Sequence, residues 1–440
     1  MYQQFASTRA LPRSQAREFV EAKNRKIGRI LESKAGVHNP RLPQQLLDML
    51  TNKSGSIFKW ALDCMANSGG AAAGPDGIEP RDLSQSERWQ IARSLQWRIS
   101  RGKYRPGPHR TAKIPKGRHR GAREIQIQNV EDRAVQRAIL MIVQPVIDRT
   151  LAPCSFGFRP RVDRMHALAT ALAIATRDNA WVWIVADIKD AFEQTDHTRL
   201  LNNLERRLPC PEIRDLIARV IEVKAPKGLA QGGSLSPLLL NVDLDEVLDR
   251  PWRQQRGDAS LLRYADDLLL LNGDQKTADR DLSHLSRRLS EAGTPLKASP
   301  GTTIRDLTTG KSAEWLGFTI RRQGDTLDVA VSEAYWSRLD QDLEGCHDTV
   351  NPPQAALEVI QGHIDQLGPV YHQERLLPYC TRIKQAANRY GFEEIPNEDE
   401  LRTHWGRSAV RWDSIRTVRT DKLMIDFPAA PPAHFAHAQA

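Results

Sequence analysis

Cysteine is scarce and scattered. The 440 residues hold five (Cys64, Cys154, Cys210, Cys346 and Cys380), an odd number with no CxxC pair. That speaks against a disulfide framework and against a zinc site, and makes the cytoplasm the expected compartment. Long apolar runs are missing too: none approaches the roughly 18–20 residues needed to span a bilayer. The N-terminus carries Arg9, Arg13 and Arg17 but no apolar core, so no secretory signal is expected, and the chain reads as soluble with no membrane partner. Positive charge is abundant. Lysine and arginine number 63 against 54 acids, a net charge of +9, and residues 1–41 hold nine basic residues against three acids. That balance favours a polyanionic partner. A chain of this length can bury a large core and divide into two or three domains.

Residues 14–50 read as basic helices broken by "NPRLP", and "NSGGAAAGPDGIEP" (67–80) is too rich in small residues to be a regular element. "NVEDRAVQRAILMIVQPVID" places Val130, Val135, Ile139, Ile142 and Val146 at helical spacing behind Asn129, a natural N-cap. "WVWIVA" (181–186) has the aromatic and β-branched composition of a buried strand, and Asp187 follows it. "LLRYADDLLLL" (261–271) has two apolar arms and reads as a hairpin with Asp266 and Asp267 at its tip. A helix through Leu282, Leu285 and Leu289 stops at Gly293, and "EWLGFTIRRQGDTLDVAV" reads as a further hairpin turning at residues 323–325. From 332 to about 425 the pattern is helical, and "PAAPPAHFAHAQA" is a disordered tail.

Three carboxylates thus stand at strand ends. Two acids inside an apolar hairpin face a desolvation cost of several kcal/mol each unless a cation neutralises them, and clustered carboxylates without His or Cys suit a hard divalent ion. Mg²⁺ fits best. Two such ions about 4 Å apart can activate a 3′-hydroxyl and stabilise departing pyrophosphate.

The boxes around these acids resemble bacterial reverse transcriptases of the group II intron and retron-related lineages, over roughly residues 74–320. "YADD" resembles the catalytic box, and "VADIKDAFEQTDH" the first palm box. The resemblance implies Asp187, Asp266 and Asp267 as catalytic metal ligands and Phe192 as the steric gate against ribonucleotides. "KGLAQGGSLSPLLLNVDLDEVLD" resembles the box whose glutamine, here Gln231, sits beside the incoming nucleotide. "YRPGPHRTAKIPKGRHRGAREIQI" is similar to the fingers segment, implying Lys116 and Arg123 for the triphosphate. "SFGFRPRVDRMHAL" matches another box of the family, and "EWLGF" the primer grip, implying Leu316 and Gly317, with Tyr264 near the primer end. Two departures stand out. Glu193 replaces the family's usual second Asp, and "LKASPGTT" replaces its lysine-threonine pair, leaving Lys297 as the nearest substitute.

The implied fold is α+β, a right-hand polymerase. A basic helical extension (1–66) would precede fingers (67–180), a palm with an antiparallel sheet (181–325), a short helical thumb and RNA-binding region (326–427) and the tail (428–440). "RTHWGRSAVRWDSIRTVRTDK" mixes Arg402, Arg407 and Arg411 with Trp405 and Trp412, a pattern suited to structured RNA. The resemblance implies an RNA-directed DNA polymerase with two Mg²⁺ ions that takes deoxynucleoside triphosphates and makes cDNA. Its expected template is a dedicated structured non-coding RNA, as in the stand-alone bacterial enzymes of anti-phage defence. The alternative is a group II intron-encoded maturase and reverse transcriptase that binds intron RNA. An RNA-copying RNA polymerase is a third option, which Phe192 opposes.

Overall fold

The computed structural model describes residues 14–67, 72–115, 122–221, 226–256, 261–298 and 302–426. Two compact units share the chain discontinuously. The first comprises Met1–Ala152, Phe158–Pro160 and Asp190–Leu248; the second comprises Pro153–Gly157, Arg161–Lys189 and Asp249–Ala440.

The first unit is built around the helix Val130–Ile147. Its apolar residues are not confined to one stripe: Val130, Ala134, Val135, Ala138, Ile139, Ile142, Val143 and Val146 are all at most 1% exposed, the pattern of a helix covered on most sides. Helices Gln15–Glu32, Leu42–Thr51, Ser56–Asn67 and Gln85–Ser100 pack against it. Ser84 opens the last of these with a capping box, its hydroxyl accepting from the Glu87 amide and its own amide donating to the Glu87 carboxylate. Strands β1 (His109–Pro115) and β2 (Ala122–Gln128) form an antiparallel pair. The unit also holds helices His197–Arg207, Pro211–Ile221 and Ser236–Leu244.

The second unit holds the main sheet. Strands β3 (Val182–Asp187), β4 (Leu261–Tyr264), β5 (Asp267–Asn272) and β6 (Thr303–Asp306) lie in the order β4-β5-β3-β6, all antiparallel. Leu268 to Leu270 are fully buried and Leu271 is 4% exposed, so β5 is covered on both faces, with helices Arg164–Asp178 and Gln275–Glu291 packed on it. Strands β7 (Ser312–Trp315), β8 (Phe318–Gln323) and β9 (Thr326–Val331) make a second antiparallel sheet. Helices Glu333–Glu344, Pro352–Ile364, Gln373–Arg389 and Glu398–Asp426 follow, the last packing on Arg164–Asp178. The expected α+β class, antiparallel sheets packed on helices, is what the chain adopts. The expected C-terminal tail lies outside the described residues.

Candidate active site

Asp187 ends β3 and Asp267 begins β5, and the two are direct register partners across the antiparallel pair. Partners of this kind carry their side chains on one face of the sheet, their Cβ atoms about 5 Å apart. Asp266 sits beside them in the turn. Tyr264 pairs with Asp267, so the turn proper is Ala265–Asp266. This sharpens the expected tip: Asp266 is a turn residue, whereas Asp267 already belongs to the strand. The turn is pinned to β3, since the Ile188 amide donates to the Asp266 carbonyl at 3.1 Å.

Lys297, the substitute suggested by sequence, reaches this site. Its ammonium lies 2.5 Å from Asp187 Oδ1, and its backbone amide donates to the Asp187 carbonyl at 2.8 Å. An isolated bridge between Ile188 and Leu296 holds the segment alongside β3. Burial, then the charges of Asp266 and Asp187, push the Asp267 carboxyl up to about 7, and Lys297 opposes them. The donor set is oxygen-only, three carboxylates with neither His nor Cys, which fits a hard divalent cation. Among the described residues no three ligating side chains already stand in coordinating geometry, so the fit is one of donor chemistry. By donor chemistry Asp187, Asp266 and Asp267 are the residues that could hold a divalent ion.

Behind the turn lies a network that sequence reasoning missed. Arg263 and Asp249 are both fully buried and joined in two-pronged fashion, Nε to Oδ1 at 2.8 Å and Nη2 to Oδ2 at 2.5 Å. Arg263 Nη2 also donates to Ser155 Oγ at 2.8 Å, and Nη1 to the Ala265 carbonyl at 3.0 Å. A buried arginine inside a run of leucines was the available signal. Tyr264 is half-buried, and burial pushes its phenol up to about 12.

Leu316 and Gly317 form the two-residue turn between β7 and β8, with φ of 51° and 83°, the positive pair of a type I′ hairpin. Arg164 Nη1 donates to the Leu316 carbonyl at 3.2 Å while its guanidinium lies over the Phe318 ring at 4.9 Å. Asp163, which caps the helix Arg164–Asp178, pairs with Arg411. Arg402 bonds Glu398 at 2.9 Å, and Arg407 is exposed. Trp405 and Trp412 are at most 5% exposed. The Trp405 indole N–H donates to the Leu367 carbonyl at 2.8 Å, and its ring stacks on Tyr379. The tryptophans are therefore packing residues, and of the basic and aromatic pattern Arg402, Arg407 and Arg411 are the members that face outward.

In the first unit Phe192 is half-buried, edge-on to Phe158 with centroids 6.2 Å apart. Gln231 Nε2 donates to Glu193, and the Gln231 carbonyl accepts from the Gln126 amide at 2.8 Å. The unexpected Glu193 is thus the partner of Gln231. Gly232 has φ of +105°, and a Cβ there would stand 2.6 Å from an Ile125 methyl; one on Gly233 would stand 2.7 Å from Gln136 Oε1. Both glycines let the loop lie on β2 and the central helix. A cavity of about 260 Å³ opens beside this loop, lined among others by Tyr104, Asp132, Gln136, Glu193 and Ser236. Arg123 lies in β2 opposite Ile114; Lys116 lies outside the described residues.

Residues 114–320 match the reverse transcriptase (RNA-dependent DNA polymerase) family. The matched stretch contains all three strand-end acids, Lys297 and the Leu316–Gly317 turn. The chain is 28% identical over 215 residues to Protein YkfC of Escherichia coli (strain K12), covering 46% of this chain and 56% of that protein. It is 29% identical over 157 residues to the group II intron-encoded protein LtrA of Lactococcus lactis subsp. cremoris, covering 33% of this chain and 26% of that one. The matched stretch therefore spans little more than half of the first relative and about a quarter of the second. Apo telomerase from Candida tropicalis aligns over 93% of this chain and 99% of its own, at 12% identity and a TM-score of 0.44. The similarity to a group II intron-encoded protein agrees with the resemblance that the sequence boxes carry.

Proposed function

We propose that the protein is an RNA-directed DNA polymerase whose catalytic acids are Asp187, Asp266 and Asp267. The observation that carries this reading is the register pairing of Asp187 with Asp267, with Asp266 in the adjoining turn. When bound, two Mg²⁺ ions on these carboxylates would supply activation of the primer 3′-hydroxyl and stabilisation of the pyrophosphate leaving group. The chain's own residues do the rest. Lys297 holds Asp187 and carries a positive charge to the acid cluster. Phe192 excludes the ribose 2′-hydroxyl by overlap, and Gln231, oriented by Glu193, lies against the incoming deoxynucleotide. Leu316 and Gly317 hold the primer strand, with Tyr264 at its end. Lys116 and Arg123 meet the triphosphate, and Arg402, Arg407 and Arg411 meet RNA phosphates.

The template in this reading is a dedicated structured non-coding RNA copied in a bacterial cytoplasm as part of anti-phage defence. The resemblance to stand-alone bacterial enzymes supports it. Among the described residues no helix is long and apolar enough to cross a membrane. The names of relatives such as LtrA favour a second reading, an intron-encoded enzyme that binds intron RNA.

The test is incorporation of labelled deoxynucleotides on a primed RNA with Mg²⁺, wild type against Asp266→Asn. Incorporation by wild type alone is expected, and none by either would end the polymerase reading. Sequencing RNA that co-purifies with the protein separates a neighbouring non-coding transcript from an intron.

A further inference from the structure

The turn that presents Asp266 adopts a backbone its sequence does not favour. Ala265 has φ of +60°, at the position that type II′ hairpins give to glycine, because a Cβ crowds the following carbonyl there. Three contacts hold it. The Ala265 carbonyl accepts from Arg263 Nη1 at 3.0 Å, and the Asp266 carbonyl accepts from the Ile188 amide at 3.1 Å. Gly157 lies so close that a Cβ on it would stand 2.3 Å from the Ala265 nitrogen.

Of these contacts only Arg263 comes from a side chain, and that side chain is also held at Nε and Nη2. Asp249 takes Nε and Nη2, and Ser155 Oγ takes Nη2 as well. The guanidinium is planar and rigid, so fixing one edge on Asp249 aims the remaining N–H groups. Asp249 ends the π-helical turn Asp245–Asp249, a rare backbone form that recurs at functional sites. A fully buried ion pair stabilises a fold little better than apolar side chains of the same size. Its use here is directional.

We propose that Arg263, anchored by Asp249 and Ser155, is a positioning residue: it holds the Ala265–Asp266 peptide so that the Asp266 carboxylate stands in its working orientation. The inference rests on the polymerase reading for its activity readout and on the acid cluster for its metal readout.

The test uses the double variant Asp249→Leu/Arg263→Met, which removes both charges of the pair together. It is expected to melt close to wild type and to bind primed template with unchanged Kd. It should lose about 100-fold in kcat with little change in KM for the nucleotide, since a displacement near 1 Å at reacting groups has that effect. Mn²⁺ binding, followed by electron paramagnetic resonance, should weaken about tenfold or more, as when a group that orients metal ligands is lost. Adding Ala265→Gly, which admits the positive φ freely, should restore part of both. A folded double variant with wild-type kcat and Mn²⁺ affinity overturns the proposal, as does a loss carried by KM or template Kd alone. Should the double variant fail to fold, Arg263→Lys decides. A lysine cannot hold Asp249 and aim a second donor together, so unchanged kcat and Mn²⁺ affinity in that variant overturn the proposal. If wild type incorporates nothing, the polymerase reading falls separately. Mn²⁺ binding then still judges Arg263: equal affinity in wild type and variant, or no binding by wild type, overturns the positioning role.

Discussion

Lys297 lies 110 positions from Asp187 in the chain, yet its ammonium touches that carboxylate at 2.5 Å. The lysine is 42% exposed on its side chain, so the pair contributes no more than about 1 kcal/mol to stability. Its weight lies in the electrostatics of the cluster. Lys297→Met is expected to lower Tm slightly in the absence of divalent ions and to shift half-saturation with Mg²⁺ to a lower concentration, because the ion no longer competes with a tethered cation. Thermal melts across a Mg²⁺ titration check this. Weaker Mg²⁺ binding by the variant contradicts it.

Phe192→Ala should relax sugar discrimination. The ratio of deoxyribonucleotide to ribonucleotide incorporation, as kcat/KM, is expected to fall by about tenfold or more, within the range that a single apolar contact gives. An unchanged ratio assigns Phe192 to packing against Phe158.

Gly232→Ala and Gly233→Ala each place a Cβ inside contact distance of the central helix or β2. Such overpacking typically destabilises by about 1–3 kcal/mol, and Gly232 adds its positive φ. Denaturant melts should show both losses, with Gly232→Ala also raising KM for the nucleotide through the displaced Gln231. Unaltered stability in both would mean that the loop has room to move.

The Asp163 carboxyl is held well below its usual range although burial opposes this: the His166 ring and the Arg411 guanidinium favour its charged form. A carboxyl whose folded pKa is depressed stabilises the fold fully above its unfolded value. That contribution is lost as pH falls through the folded one. Acid unfolding of Asp163→Asn should therefore start from a lower stability at neutral pH and depend less on pH below about 4, near the ordinary carboxylate value. Parallel acid-denaturation curves for wild type and variant would remove the linkage.

On the C-terminal helix, Trp405→Ala should cost about 3–5 kcal/mol as a cavity mutation, whereas Arg407→Ala should leave Tm unchanged. For RNA binding the order reverses. Arg407→Ala is expected to weaken affinity uniformly across sequences and reduce the salt slope by about one. Equal slopes for wild type and variant would remove Arg407 from the RNA contact.

The parts of this protein legible in its sequence are those set by short-range pattern. The β3 strand, the "YADD" hairpin and the "EWLGF" turn each follow from local alternation and turn chemistry, and the three acids follow from their strand ends. What escaped depends on distant partners. Arg263 looks like one polar residue among leucines until Asp249 and Ser155 are brought to it. In the sequence Glu193 is a departure from the family's usual Asp, and its bond to Gln231 exists only in the fold. In the C-terminal helix the spacing of Trp405 and Trp412 fits a buried stripe and an RNA-stacking face equally well, and only the packing on Leu367 and Tyr379 decides.

The discontinuous partition of the chain bears on synthesis. Asp187 belongs to the second unit, but the stretch Asp190–Leu248 that leaves the ribosome next belongs to the first. Strand β3 therefore waits unpaired until β5 emerges, and Asp187 meets its cation only when Lys297 follows. A nascent chain released before that point carries an apolar strand without its neighbours and no assembled acid cluster. A cut between residues 187 and 261 divides the acid cluster between two fragments.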